Sequence, residues 1–201
     1  MTILVSCKAP EFTAPAVLAS GEIVDQLNFS EQRNGKYAVI IFYPLDFTFV
    51  CPSELIALDK RIDTFKALDV EVFSVSIDSA YTHLAWRKTS ITDGGIGAVR
   101  YTMFADIDHK IVKSYGIESQ DTGVAFRGTF LIDKEGIVRH QVVNDLPLGR
   151  NMNELIRMVE ALQFFEKNSE VCPAGWQEGQ KGIVASPQGI SDYLNENADS
   201  L

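Results

Sequence analysis

At 201 residues the chain has room for one well-filled domain with an added arm, and not comfortably for two. Its 46% hydrophobic and 22% charged residues are a soluble globular composition. A formal net charge of −9 leaves no basic footprint for nucleic acid or an anionic membrane, so small neutral substrates and protein partners stay open.

Residues Met1 to Phe12 carry no basic region ahead of a long apolar run, and no signal peptide is expected. Apolar runs such as Ala38 to Tyr43 are too short for a bilayer, which makes the cytosol the expected location. Tyr37 to Tyr43 and Val70 to Ile77 read as strands of the kind buried on both faces. Between them Leu55, Ile56, Leu58, Ile62, Phe65 and Leu68 recur at helical spacing, predicting one helix over Ser53 to Leu68. Strand, helix and strand in succession predict a βαβ unit with a right-handed crossover. A further helix is predicted at Ala80 to Lys88. Thr129 to Asp133 and Ile137 to Val143, joined through Gly136, predict a hairpin. Asn153 to Glu166 is strongly amphipathic, after which glycine and proline break up the pattern from Cys172 to Gly189. A short polar helix is predicted at Ile190 to Asn197. The fold class is therefore α/β, a mixed central sheet flanked by helices over residues 1–166, with a C-terminal arm over 167–201.

Three cysteines, Cys7, Cys51 and Cys172, are too few and too widely spaced for a disulfide-stapled scaffold. Cys51 lies after a strand and a short connection, and Pro52 behind it suits the first turn of a helix. Unpaired amides and the positive dipole end at such a position favour a thiolate, the reactive form of cysteine. Thr48 adds a hydroxyl that can donate and accept, and Pro44 can shape the loop and shield the sulfur. The same residues also fit a proline-bracketed turn around an inert buried cysteine.

The segment PLDFTFVCP at Pro44 to Pro52 resembles the active-site signature of the peroxiredoxins, P-x-x-x-T-x-x-C opening a helix in a thioredoxin-like fold. The likeness extends through FSVSID at Phe73 to Asp78, HLAW at His83 to Trp86, RGTFLID at Arg127 to Asp133 and EVCPAGW at Glu170 to Trp176. It points to the typical 2-Cys peroxiredoxins, the group that holds the alkyl hydroperoxide reductase peroxidase subunit and the thioredoxin peroxidases. The resemblance implies that Cys51 is the peroxidatic cysteine, that Thr48 binds the substrate oxygen, that Pro44 covers the site, and that Arg127 hydrogen-bonds thiolate and peroxide. Glu54, one turn into the helix, is expected either to orient that arginine or to serve as a plain acid at the helix N-terminus. Cys172 is implied as the resolving cysteine, forming an intersubunit disulfide with Cys51 that thioredoxin or a flavoprotein disulfide reductase then reduces. A homodimer is the smallest such unit, and this family commonly builds rings of five dimers. Because a disulfide demands close sulfurs, unwinding around Cys51 and movement of the arm are expected. Cys7 has no role in this scheme.

Gly94-Gly-Ile-Gly97 lacks the Walker lysine and the dinucleotide fingerprint. It resembles the GGLG loop of oxidation-sensitive peroxiredoxins, with Ile96 for leucine, while Tyr193-Leu194 replaces their C-terminal Tyr-Phe. Intermediate sensitivity to sulfinic inactivation is expected. His83, His109 and His140 are scattered without metal-ligand spacing and read as solvated or packing residues, so no metal, haem or flavin is implied. Trp86 reads as packing near the site, and Phe47, Phe49 and Phe126 as shelter for the pocket or ordinary core. Two rivals are a dithiol-disulfide oxidoreductase, which lacks its C-x-x-C here, and a ring-forming chaperone or scaffold.

Overall fold

The computed structural model describes residues 2–200. The chain divides into two compact units, residues 1–152 and 153–201. In the first unit the strands are β1 (Thr13–Val17), β2 (Ile23–Asn28), β3 (Tyr37–Phe42), β4 (Val70–Ser76), β5 (Thr102–Ala105), β6 (Arg127–Ile132) and β7 (Val138–Asn144). They form one mixed sheet in the order β2-β1-β5-β4-β3-β6-β7. Apolar at all six positions, β3 is buried at all six, as a central strand covered on both faces must be. It runs parallel to β4, with Ile40 opposite Phe73, and antiparallel to β6, with Ile40 opposite Phe130. One face of the sheet carries an aromatic core of Phe29, Phe42, Phe73, Phe104, Tyr115 and Phe130. Edge-to-face pairs such as Tyr115 with Phe130, centroids 4.9 Å apart, bind it together.

The helices of this unit are α1 (Phe29–Arg33), α2 (Cys51–Asp59), α3 (Ile62–Ala67), α4 (Ala80–Lys88) and α5 (Lys110–Ser114). The single helix predicted over 53–68 is in fact two, broken at Lys60 and Arg61. Leu55, Leu58, Ile62 and Phe65 are all buried, so their spacing carries the apolar stripe straight across the break. Arg100 supplies the reason. Its guanidinium donates to the Asp59 carbonyl at 2.7 Å and grips the carboxylates of Asp59 and Asp63. The predicted α4 holds, with Ser79 capping its first turn. So does the hairpin β6–β7.

In the second unit, α6 (Met152–Asn168) runs past both predicted ends, and α7 (Pro187–Asn197) starts three residues earlier than expected. Pro187 and the Ser186 hydroxyl, which accepts from the Gly189 amide, set that start. The connecting segment is pinned by a bridge between Val171 and Ile183 and by Trp176, fully buried against Phe164 at 4.8 Å. Gly182 has to be glycine, since a Cβ there would lie 2.6 Å from the Phe164 ring. No described helix is long and apolar enough to cross a membrane.

Candidate active site

The chain leaves β3 at Phe42 and reaches α2 through residues 43–50, a loop with few regular backbone hydrogen bonds of its own. Side chains fix it instead. Tyr43 donates to Asp46 Oδ1 at 2.7 Å, and Asp46 Oδ2 lies 2.7 Å from His83 Nδ1 on α4. The other ring nitrogen of His83 donates to the Phe104 carbonyl at 3.1 Å. Both side chains of the Asp46–His83 pair are wholly removed from solvent. Burial raises the Asp46 carboxyl above its usual range, opposed in part by the hydrogen bond and charge of His83. Pro44 is buried at the start of the loop, and the Thr48 hydroxyl gives its proton to the Leu45 carbonyl at 2.8 Å. The lone pairs of Thr48 are thereby turned to accept from another donor.

Cys51 is the first residue of α2 and has no exposed surface. No side chain caps this helix start. The Arg127 guanidinium at the start of β6 donates beside it, its Nη1 lying 3.4 Å from Cys51 Sγ and 2.8 Å from Glu54 Oε2. Arg127 is itself held by a 2.6 Å hydrogen bond from Nε to the Leu146 carbonyl. Glu54 thus pairs with Arg127, and it does not pair with that arginine alone.

Arg150, which sequence reading passed over, grips the same carboxylate. Its backbone amide and Nε donate to Glu54 Oε1 at 2.8 Å each, and Nη2 donates to Oε2 at 2.9 Å. Nη1 donates to the Gly128 carbonyl at 2.7 Å. Burial alone would raise the Glu54 carboxyl. The hydrogen bonds and charge of Arg150, with the charge of Arg127, outweigh burial and hold it below its ordinary range. One carboxylate faces two guanidiniums, which leaves a buried positive charge beside Cys51 without a second carboxylate.

Trp86 is fully buried, but it packs against Tyr43 and Phe47 of the loop at 6.1 and 5.8 Å. Its indole N–H donates to the Gly94 carbonyl at 2.8 Å, and neighbouring Arg87 donates to the Val99 carbonyl. Consecutive residues of α4 thus hold Gly94, where the Gly94–Gly97 loop starts, and Val99, two residues past its end. Phe47 and Phe49 are 51% and 97% exposed and form no core. His83 is a buried bonded residue, and His109 pairs with Glu118 at 2.7 Å. No group of three or more potential metal ligands occurs among the described residues.

Cys172 lies in the second unit, half-buried, with its thiol 3.4 Å from the Ala161 carbonyl of α6. Burial pushes this thiol up, and the charge of Arg157 opposes the push. Cys7 is exposed.

Residues 5–141 match the AhpC/TSA family, and residues 161–196, which hold Cys172, match the C-terminal domain of 1-Cys peroxiredoxin. The chain is 50% identical over 194 residues to alkyl hydroperoxide reductase C of Buchnera aphidicola, covering 96% of this chain and 98% of that protein. It is 45% identical to peroxiredoxin-1 of Gallus gallus, over 94% of each chain. Among solved structures, reduced 2-Cys peroxiredoxin of Plasmodium vivax superposes with a TM-score of 0.92 at 44% identity, over 96% of this chain and 100% of the other. AhpC of Enterococcus faecalis does so with a TM-score of 0.78 at 35% identity, over 86% and 100%. The buried cysteine at a helix start, the thioredoxin-like sheet behind it and these likenesses agree: the chain belongs to the AhpC/TSA family, among the 2-Cys peroxiredoxins.

Proposed function

We propose that this chain is a thiol-dependent peroxidase that reduces hydrogen peroxide and organic hydroperoxides, serving antioxidant defence, with Cys51 as the attacking sulfur. The observation that carries the reading is the 3.4 Å contact between Arg127 Nη1 and the buried Cys51 Sγ at the head of α2. The thiolate attacks one peroxide oxygen, the S–O bond forms as the O–O bond breaks, and the departing oxygen takes a proton to leave as water or alcohol. Sulfenic acid remains on Cys51. Arg127 faces both the sulfur and the charge that develops on the departing oxygen, where a preorganised donor counts most. Thr48 accepts from the peroxide O–H, Pro44 shields the sulfur from bulk water, and Glu54 holds Arg127 in place with Arg150 as second clamp. Trp86 backs the loop as a positioning residue.

In the second half of the cycle Cys172 of one subunit attacks the Cys51 sulfenic sulfur of another, releasing water and leaving an intersubunit disulfide. An external dithiol, thioredoxin or a flavoprotein disulfide reductase, returns both thiols. The peroxidase chemistry belongs to residues 1–166 and the resolving cysteine to the arm over 167–201. Homodimers assemble into a decamer, a reading supported by the exposed Phe47 and Phe49 on the active-site loop and by β7 at the sheet edge. Three free thiols suit a reducing compartment such as the cytosol. The test is peroxide consumption with a small dithiol protein as reductant. Cys51→Ser is expected to abolish it, and turnover that persists in that variant would remove Cys51 from the chemistry.

A further inference from the structure

The thiol of Cys172 poses a chemical problem that its position creates. Its hydrogen bond runs to the Ala161 carbonyl, an acceptor that keeps the proton on sulfur. Burial acts in the same direction. Resolution needs the opposite, because the thiolate is the nucleophile that attacks a sulfenic sulfur.

Arg157 stands one turn before Ala161 on α6, so the two share a face of that helix. Its Nη1 donates to the Trp176 carbonyl at 2.9 Å, at the end of the turn that the Trp176 amide closes on the Pro173 carbonyl. Glu154 holds its other side through Nε and Nη2 at 2.7 and 2.6 Å. Glu160 is raised by burial and by Glu178, Glu170 turns toward Gly182, and Lys181 lies 3.9 Å from Glu196. The charge of Arg157 opposes the effect of burial on the Cys172 thiol.

We infer that Arg157 is a positioning residue for the resolving step, its guanidinium held between α6 and the Trp176 carbonyl so that the Cys172 sulfur can release its proton, with Glu154 as the brake on that charge. This rests on Cys172 being the resolving cysteine. In the step itself the Cys172 S–H proton departs, its sulfur attacks the Cys51 sulfenic sulfur, the S–O bond breaks, and the oxygen leaves with both protons as water. No further oxidant or reductant enters.

Stopped-flow tryptophan fluorescence of the full chain, mixed with a small excess of hydrogen peroxide across a pH series, separates a first phase of Cys51 oxidation from a second phase of disulfide formation. Arg157→Gln is expected to slow the second phase about three- to fivefold near pH 7 and to move its pH midpoint upward, since one unit of midpoint is a tenfold change in thiolate. Arg157→Lys restores most of the rate by keeping the charge. Glu154→Gln acts in the reverse direction, speeding the second phase and moving the midpoint down. A role confined to packing would loosen the arm in both Gln variants without moving the midpoint, and unchanged midpoints overturn the inference. If Arg157→Gln does not fold, the downward shift in Glu154→Gln decides alone. Absence of any first phase defeats the peroxidase reading itself. A first phase followed by an Arg157-independent second phase defeats this inference only.

Discussion

Around Cys51 the polar neighbours are ionic, buried and locked to one another: Glu54 is held by two arginines, and those arginines are tied in turn to the carbonyls of Leu146 and Gly128. Around Cys172 the support is lighter. A helix carbonyl takes the thiol, Phe164 and Trp176 pack at a tilt in the same unit, and the nearby charge of Arg157 is shared with a half-exposed carboxylate. Removing one member of a buried ion pair costs about 3–5 kcal/mol, whereas an exposed pair contributes about 0–1 kcal/mol. On the proposed function, the first sulfur sits where charge is fixed ahead of a small substrate. The second then sits where little has to be broken for the arm to move.

The sharpest test of that contrast is removal of each sulfur in turn. Cys51→Ser is expected to reduce peroxide consumption to background, with no disulfide-linked dimer on a non-reducing gel. Cys172→Ser should still oxidise once at Cys51 while losing the linked dimer and sustained turnover. Equal behaviour of the two variants would erase the division of labour.

Next in size is the clamp. Glu54→Gln leaves two buried guanidiniums without a carboxylate, and a loss of about 3–5 kcal/mol of stability is expected. In a chain of this size that lowers the melting temperature by roughly 2–4 °C per kcal/mol. The pH dependence has a definite sign. Because the folded-state Glu54 carboxyl is held below its usual value, its contribution is present above about pH 4.3 and fades as pH falls through the lower folded value. The stability gap between the natural chain and Glu54→Gln should therefore narrow in acid, as denaturant melts between pH 7 and 3 would record. A gap that stays constant means the carboxylate charge is not what the clamp uses.

Arg127→Lys comes after it. A lysine keeps the charge but cannot face Sγ, Glu54 and the Leu146 carbonyl at once, so the rate of Cys51 oxidation should fall roughly ten- to a hundredfold. In the arm, oxidation is expected to raise protease sensitivity after α6 more than anywhere in residues 1–152. Digestion of peroxide-treated and dithiol-treated protein measures this directly, and identical patterns would deny that the arm moves.

How far the sequence displays these two regions follows from distance along the chain. β3, β4, α4 and the β6–β7 hairpin are legible because local period alone encodes them. β1 carries Pro15, β2 is half-exposed and β5 has four residues, so none offers a clear pattern. The break between α2 and α3 depends on Arg100, 41 residues from Asp59, and apolar spacing is blind to it. The cysteine at the helix start is visible through Pro52 and its flanking motif, and Arg127 through the family likeness. Arg150 is not: its partner is 96 residues away, and a loop arginine after glycine reads as a solvated charge. The Asp46–His83 pair hides in the same way, two ordinary polar residues 37 positions apart that only the fold makes buried partners.

The smallest expected effect joins the loop before Cys51 to the glycine loop behind it. Trp86 packs on Phe47 and Tyr43 with its ring and holds the Gly94 carbonyl with its N–H. Trp86→Phe keeps an aromatic ring in that space and deletes the hydrogen bond, a loss of about 1 kcal/mol. If the Gly94–Gly97 loop restrains opening of the Cys51 region, freeing its first carbonyl should let sulfenic acid reach the resolving thiol sooner. Sulfinic inactivation per turnover, counted by mass spectrometry across a peroxide series, is then expected to drop about two- to threefold while the stability change stays within that of one hydrogen bond. An unchanged inactivation ratio at the same loss of stability would separate the two loops, leaving Trp86 as packing for residues 43–47 alone.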